Sequence, residues 1–140
     1  MGRKDALNSF AGIPRIVMEH PDYINLGGHA VKLLNLFAYQ YRGKNNGDLC
    51  AAWAIAKKHG FKSQATLSRA KNELIHAELI IQTRQGVFLN PGGRCALYAL
   101  TWQPVNECPG KNMDIEPTIK PPRQFGLERF KNRNPTSITV

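Results

Sequence analysis

Long apolar runs are missing from this sequence. No stretch approaches the roughly 18 consecutive apolar residues that a membrane helix needs, so no membrane partner is expected. The opening "MGRKDALNSF" carries basic residues with no apolar stretch behind them, unlike a secretory signal, and Ala6 stands where a myristoylation signal has Ser or Thr. Cysteine is scarce and odd in number. Cys50, Cys95 and Cys108 lie far apart with no Cys-x-x-Cys spacing, which speaks against a disulfide framework. His20, His29, His59 and His76 are equally scattered, whereas a structural zinc site draws paired ligands at short spacing. The thiols read as buried or idle in a reducing cytoplasm, and neither a metal nor a cofactor is expected.

Catalytic signatures are missing too. Asp48 and Glu73 have no companion carboxylate at useful spacing, and "GGRC" and "LGGH" lack the strand–loop–helix glycine pattern with Lys or Asp that nucleotide binding needs. Cys50 with His59 or His76 has no local support as a nucleophile–base pair. The chain is therefore not expected to be an enzyme. Carboxylates are short in supply overall: 10 Asp and Glu stand against 19 Lys and Arg, net +9. Such an excess points to a polyanion, with nucleic acid ahead of anionic lipid. It is also concentrated. Lys57, Lys58, Lys62, Arg69, Lys71, Arg84 and Arg94 face only Glu73 and Glu78 between positions 57 and 94.

At 140 residues and 42% hydrophobic content the chain suits one soluble domain. Residues 1–25 read as an N-terminal strap in which Pro14 and Pro21 limit any helix to a turn or two. Ile13, Ile16, Val17, Tyr23 and Ile24 are expected to pack on the domain. In "LGGHAVKLLNLFAYQY", Ala30, Leu33, Leu34, Phe37 and Tyr41 recur at helical spacing, with Gly27 as N-cap and Gly43 past the stop. Asn46-Gly47 marks a turn, and Leu49 and Cys50 suffice for a short strand. "AAWAIAKKHG" reads as a second helix ended by Gly60. Ser63 caps a third, with Leu67, Ala70, Leu74 and Ala77 inward. Thr66 occupies the position where a capping box would have Glu or Gln. Ile80–Arg84 and "CALYALTW" read as two antiparallel strands around the turn-rich segment from 85 to 94. The aromatics Phe37, Tyr39, Tyr41, Trp53, Phe61, Tyr98 and Trp102 fall mostly at inward positions, which favours core over base stacking. Residues 103–140 hold six of the nine prolines and read as a basic, Pro-rich tail, extended or partly disordered.

The fold class expected is α+β, mostly α: three helices and a two- to three-stranded antiparallel sheet, over residues 26–102. "HAVKLLNLFAYQYRGKNNGDLC", "KKHGFKSQATLSRAKNELIHAELI" and "TRQGVFLNPGGRCALYALTW" together give a helix and turn, a helix–turn–helix, and a hairpin. This order resembles the winged helix-turn-helix DNA-binding proteins of bacterial mobile elements and prophages. The resemblance implies a transcriptional regulator or replication accessory that binds double-stranded DNA in the bacterial cytoplasm, at the nucleoid.

In a helix-turn-helix the second helix enters the major groove with its N-terminal residues toward base edges. Small polar residues at that tip allow close approach, and the free amides there suit a phosphate. Base readout is expected from Gln64, Thr66, Ser68, Arg69 and Asn72, residue types that pair with base edges. Phosphate contact is expected from Lys57, Lys58, Lys62, Ser63, Arg84, Gln85 and Arg94. Val87, Phe88 and Leu89 in the wing could fold back on the core, wedge against DNA or form a dimer contact. A homodimer would have to use the strap, the wing or the tail, and the tail could also reach a protein partner. The competing reading is a protein-interaction module on the same fold, which would need an exposed apolar patch on the third helix or the wing.

Overall fold

Pro14 and Pro21 shape the start of the chain. The computed structural model describes residues 9–87 and 93–131. Pro14 precedes a single helical turn, α1 (Arg15–Met18), and Pro21 opens the next, α2 (Pro21–Ile24). His20 caps α2, its Nδ1 accepting from the Asp22 N–H at 3.0 Å. Val17 is fully buried, with Ile13, Ile16 and Tyr23 packed on the core. Ile24, expected inward, is 63% exposed, because a one-turn helix cannot turn both Tyr23 and Ile24 to the same surface.

Helix α3 (Gly28–Gln40) buries Ala30, Leu33, Leu34, Leu36, Phe37 and Ala38. It ends short of the expected Gly43. The Asn45 side chain takes the Gln40 carbonyl at 2.9 Å and accepts from the Arg42 N–H at 2.7 Å, supplying a C-terminal cap from the following turn. Tyr41 is consequently only partly buried. Strand β1 (Leu49–Cys50) leads into α4 (Trp53–Lys58), and Gly60 closes that helix at φ +97°. Helix α5 (Gln64–His76) buries Leu67, Ala70 and Leu74, its main contact being along α3.

Glu78, with φ 59°, ends α5 in a left-handed conformation. The Leu79 N–H reaches the Leu74 carbonyl at 3.1 Å and the Glu78 N–H reaches that of Ile75 at 3.0 Å, the pairing of a Schellman cap. Strands β2 (Ile80–Arg84) and β3 (Leu97–Leu100) complete a three-stranded antiparallel sheet of order β1-β3-β2. All four β3 residues are buried, so this central strand is covered on both faces. A bulge between Gln82 and Arg84 shifts the register where the hairpin leaves the sheet. The protein is thus mixed α+β, with six helices and one small antiparallel sheet among its described residues, and none of those helices is long and apolar enough to cross a membrane.

The chain after β3 has no long helix or strand until α6 (Phe125–Lys131), a helix that its proline-rich surroundings do not announce. The segment before α6 bonds back to β2 and to the residue after β3. The Asp114 N–H donates to the Thr83 carbonyl at 2.7 Å, and the Arg123 N–H to that of Thr101 at 2.9 Å. Asn46, fully buried, ties this segment to the sheet. Its Oδ1 accepts from the Leu100 N–H at 2.8 Å, while its Nδ2 donates to the carbonyls of Leu100, Gln103 and Pro104 at 2.9 to 3.1 Å. Gly47 follows at φ +119°, a backbone conformation that side-chain-bearing residues rarely adopt, so the turn favours glycine there.

Arg123 fastens α2 to α6. Its side chain is 12% exposed and pairs with Asp22 at 2.6 Å and Glu128 at 2.7 Å, while donating to the Ala77 carbonyl at 3.0 Å. The Phe125 ring lies 4.3 Å beneath its guanidinium. Hydrogen bonding from Arg123 holds the Glu128 carboxyl below its ordinary range. Such a group adds stability that is fully present above its unfolded pKa, about 4.3, and is lost as pH falls through the lower folded value. In acid unfolding, Glu128→Gln is therefore expected to flatten the loss of stability below about pH 4.3, and an unchanged acid limb would contradict this. Asn46→Ala leaves buried carbonyls and an N–H unpaired. It is expected to cost about 3 kcal/mol, read as a lower urea midpoint at unchanged slope.

Candidate nucleic-acid interface

Ser63 sets the start of α5. At φ −146° it stands outside the helix, its Oγ accepting from the Thr66 N–H at 3.1 Å. The Ser63 hydroxyl donates in turn to Thr66 Oγ1 at 2.8 Å, and Arg69 Nη2 donates to that oxygen at 3.3 Å. The first turn therefore carries its own polar chain from cap to arginine, holding Arg69 back toward the helix tip.

The five residues assigned to base readout separate by face. With Leu67, Ala70 and Leu74 inward, a 100° step per residue turns Asn72 most directly outward. Gln64, Ser68 and Asn72, all exposed, line a groove of about 940 Å³ between α5 and the hairpin. Thr66 and Arg69 lie on the opposite flank, where Arg69 and Asn72 border a second depression with Asp22, Glu73 and His76. Asn72 borders both. The structure thus brings Gln64, Ser68 and Asn72 together along the groove and sets Arg69 and Thr66 apart from them.

Of the residues assigned to phosphate, Lys57, Lys58 and Lys62 are exposed around the α4–α5 turn, next to Ser63. Arg94 is exposed on the groove wall opposite α5, bridged through its backbone to Val87 at 2.9 Å. Val87 is half-buried, while Phe88 and Leu89 lie outside the described residues. Arg84 is differently employed. Its Nε and Nη2 donate to the Cys95 carbonyl at 3.1 and 2.7 Å, and its Nη1 to that of Lys111 at 3.1 Å. This fork clamps the base of the hairpin to the tail. Gln85 lines the groove through its exposed side chain, but its N–H is taken by Asp114 Oδ2 at 2.8 Å.

Sequence reasoning counted Lys71 only as charge. It is half-buried in the groove, its Nζ 6.0 Å from the Tyr98 ring centroid, a cation–π distance. Burial, followed by the field of Cys50, pushes the Tyr98 hydroxyl up to about 12, so the ring stays neutral beneath the ammonium. The spacing 64, 68, 71, 72, 75 was the available signal, since it marks one helix flank. Trp53, at the start of α4, and Gln82 and Tyr98, on the sheet, also line the groove, and no local pattern identifies them, because tertiary packing puts them there. Tyr39 is the exception among the aromatics expected mostly inward: it is 54% exposed, with the His59 ring tilted against it at 5.3 Å and the Arg42 guanidinium 5.9 Å from its centroid. Among the described residues no three His, Cys, Asp or Glu side chains are placed to hold a metal ion.

Comparison of the chain with protein-family models, with curated proteins and with solved structures finds no match in any of the three.

Arg84→Ala is expected to loosen the hairpin base. Hydrogen exchange at the bridging Val87 and Arg94 amides should accelerate about tenfold, as loss of a charge-assisted bond implies, while amides in α3 stay unchanged.

Proposed function

We propose that this chain is a winged helix-turn-helix protein that binds double-stranded DNA, with α5 in the major groove and the β2–β3 hairpin as its wing. The observation that carries the reading is the exposed flank of α5. Gln64, Ser68 and Asn72 line one side of the groove with Lys71, and Arg94 stands across it on the hairpin. Amide and hydroxyl side chains of this kind match base edges, and the flanking cations match phosphates. The order α3, β1, α4, α5, β2, β3 with β3 in the centre of the sheet supports the wing assignment.

In this mechanism Lys57, Lys58 and Lys62 anchor one backbone at the α4–α5 turn. The free first-turn amides of α5, beyond the one Ser63 takes, present the positive dipole end to the same strand. Gln64, Ser68 and Asn72 read bases, Lys71 and Arg94 hold the strand between helix and hairpin, and Arg69 reads a base or phosphate from the opposite flank. Arg84 positions the wing. The role is occupancy of a site, without catalysis, by a regulator or replication accessory of a bacterial mobile element acting at the nucleoid.

A protein-docking role on α5 is less well supported. The large hydrophobic side chains exposed among the described residues are Phe10, Met18, Ile24, Tyr39, Ile119 and Leu127, none of them on α5 or the hairpin.

Titration of random and enriched duplexes across a salt series tests the reading. Affinity is expected to fall steeply with salt. Lys58→Ala should weaken all duplexes alike and lower the salt slope by about one. Asn72→Ala and Arg69→Ala should each reduce preference for enriched sites by about 1–3 kcal/mol. Absence of duplex binding at low salt would overturn the proposal, and equal losses on every sequence would remove the base-reading role of the residue concerned.

A further inference from the structure

Two cysteines that the sequence separates widely are carried to one place by the sheet. Cys50 lies opposite Leu97 in the antiparallel β1–β3 pair, and Cys95 stands two residues before Leu97. Cys95 therefore lies on the diagonal from Cys50 across the pair, on the same face, and its thiol is among the groups whose nearness raises that of Cys50. Each backbone is gripped by a two-pronged clamp. The Gln40 amide donates to the Cys50 carbonyl at 2.7 Å and accepts from the Cys50 N–H at 2.9 Å. The Arg84 guanidinium donates twice to the Cys95 carbonyl. The clamps hold both backbones from outside, which keeps this diagonal arrangement in place.

Their environments differ. Cys95 is exposed on the groove wall, whereas Cys50 is half-buried with its Sγ accepting from the Ala52 N–H at 3.3 Å. Burial, ahead of every other cause, raises the Cys50 thiol above its ordinary range. An accessible thiol beside a shielded one gives a division of labour, in which the first meets an oxidant and the second resolves the product.

We propose that Cys50 and Cys95 form a hydroperoxide-reactive dithiol that closes to a reversible disulfide, stapling β1 to the hairpin strand. The Cys95 thiolate attacks one peroxide oxygen; the O–O bond breaks, leaving a sulfenic acid on Cys95 and releasing water or an alcohol. The Cys50 sulfur then attacks the Cys95 sulfur. The S–O bond breaks as the S–S bond forms, and the Cys50 proton leaves with the hydroxide as water. Two thiols lose two electrons in total and the peroxide is reduced by two. The bond sets the base of the strand that carries Arg94, so the shape of the groove wall responds to oxidation whatever the groove binds. Cys108, half-buried with its Sγ 3.6 Å from the Asn106 carbonyl, takes no part.

The test is mass mapping of the full chain after hydrogen peroxide treatment, alkylation and non-reducing digestion. The Cys50–Cys95 cross-linked peptide is expected in the unsubstituted chain and at a similar rate in Cys108→Ser. It should disappear with dithiothreitol and be absent from Cys95→Ser. In Cys50→Ser, Cys95 should accumulate as a sulfenic acid that dimedone traps. Full alkylation of both residues after peroxide would overturn the proposal. So would over-oxidation of Cys95 without a cross-link, or cross-linking of Cys108 as readily as Cys50. Because the readout on the unsubstituted chain and Cys108→Ser needs no change at either cysteine, a folding failure of the other variants leaves the answer intact.

Discussion

A single buried amide holds three parts of this molecule in register. Asn46 sits in the turn after α3, and its side chain satisfies both backbone groups of Leu100 together with the Gln103 and Pro104 carbonyls. A carboxamide offers two donors and one acceptor oxygen in a plane. Here that plane lies between the end of the central strand and the first residues of the tail. The Asn46 backbone does the same for Asn106, donating at 2.9 Å and accepting at 2.8 Å. Low dielectric makes each of these bonds strong and makes any unpaired partner costly, so the exit of β3, the path of the tail and the α3–β1 turn are fixed together. The hairpin that faces α5 is built on β3, and its placement inherits this constraint.

The helix α5 is bound on three sides by quite different forces. Its apolar stripe meets α3 and the sheet. One flank opens on the groove. The other is held by a carboxylate: Glu73 accepts from the Gly27 N–H at 2.7 Å, capping α3 from across the interface, where a negative charge suits a helix N-terminus. Glu73 therefore explains why the flank that carries Arg69 is not uniformly basic. The charge on α5 is sorted, with Lys71 toward the hairpin and Glu73 toward α3, and Arg69 drawn to the helix tip by Thr66.

Much of the fold was legible because period and punctuation agree. The helical stripe of α5, its Ser63 cap and the Gly60 stop are local features, and each lies where those features put it. The strands Ile80–Arg84 and Leu97–Leu100 follow from β-branched and aromatic runs around a glycine-rich turn. What was not legible is what only three-dimensional proximity creates. Arg84 has the composition of a phosphate contact and the geometry of a clamp on Cys95 and Lys111. The prolines after Trp102 indicate an absence of regular structure, and they carry no sign that Asp114 and Arg123 bond back to the sheet. Lys71 lacks any local mark because its partner, Tyr98, arrives from another strand. Cys50 and Cys95 become neighbours across β1 and β3 for the same reason.

The two ends of α5 have been treated oppositely, and this bears on what α5 can bind. Its C-terminal carbonyls, the negative pole of the helix, are closed by the Schellman turn at Glu78 and by the Arg123 guanidinium, which donates to Ala77 at 3.0 Å and Glu78 at 3.3 Å. That cation is itself neutralised by Asp22 and Glu128, so the C-terminal end presents little net field. The N-terminal end is capped only by the neutral Ser63 hydroxyl, with no acidic residue in its first turn. Helices commonly place Asp or Glu there, since a carboxylate offsets the dipole. Here the position is left without one while Lys57, Lys58 and Lys62 stand nearby. The uncompensated positive pole and three exposed ammonium groups sum at one corner of the surface, and an anion brought by a partner is the group that would complete it.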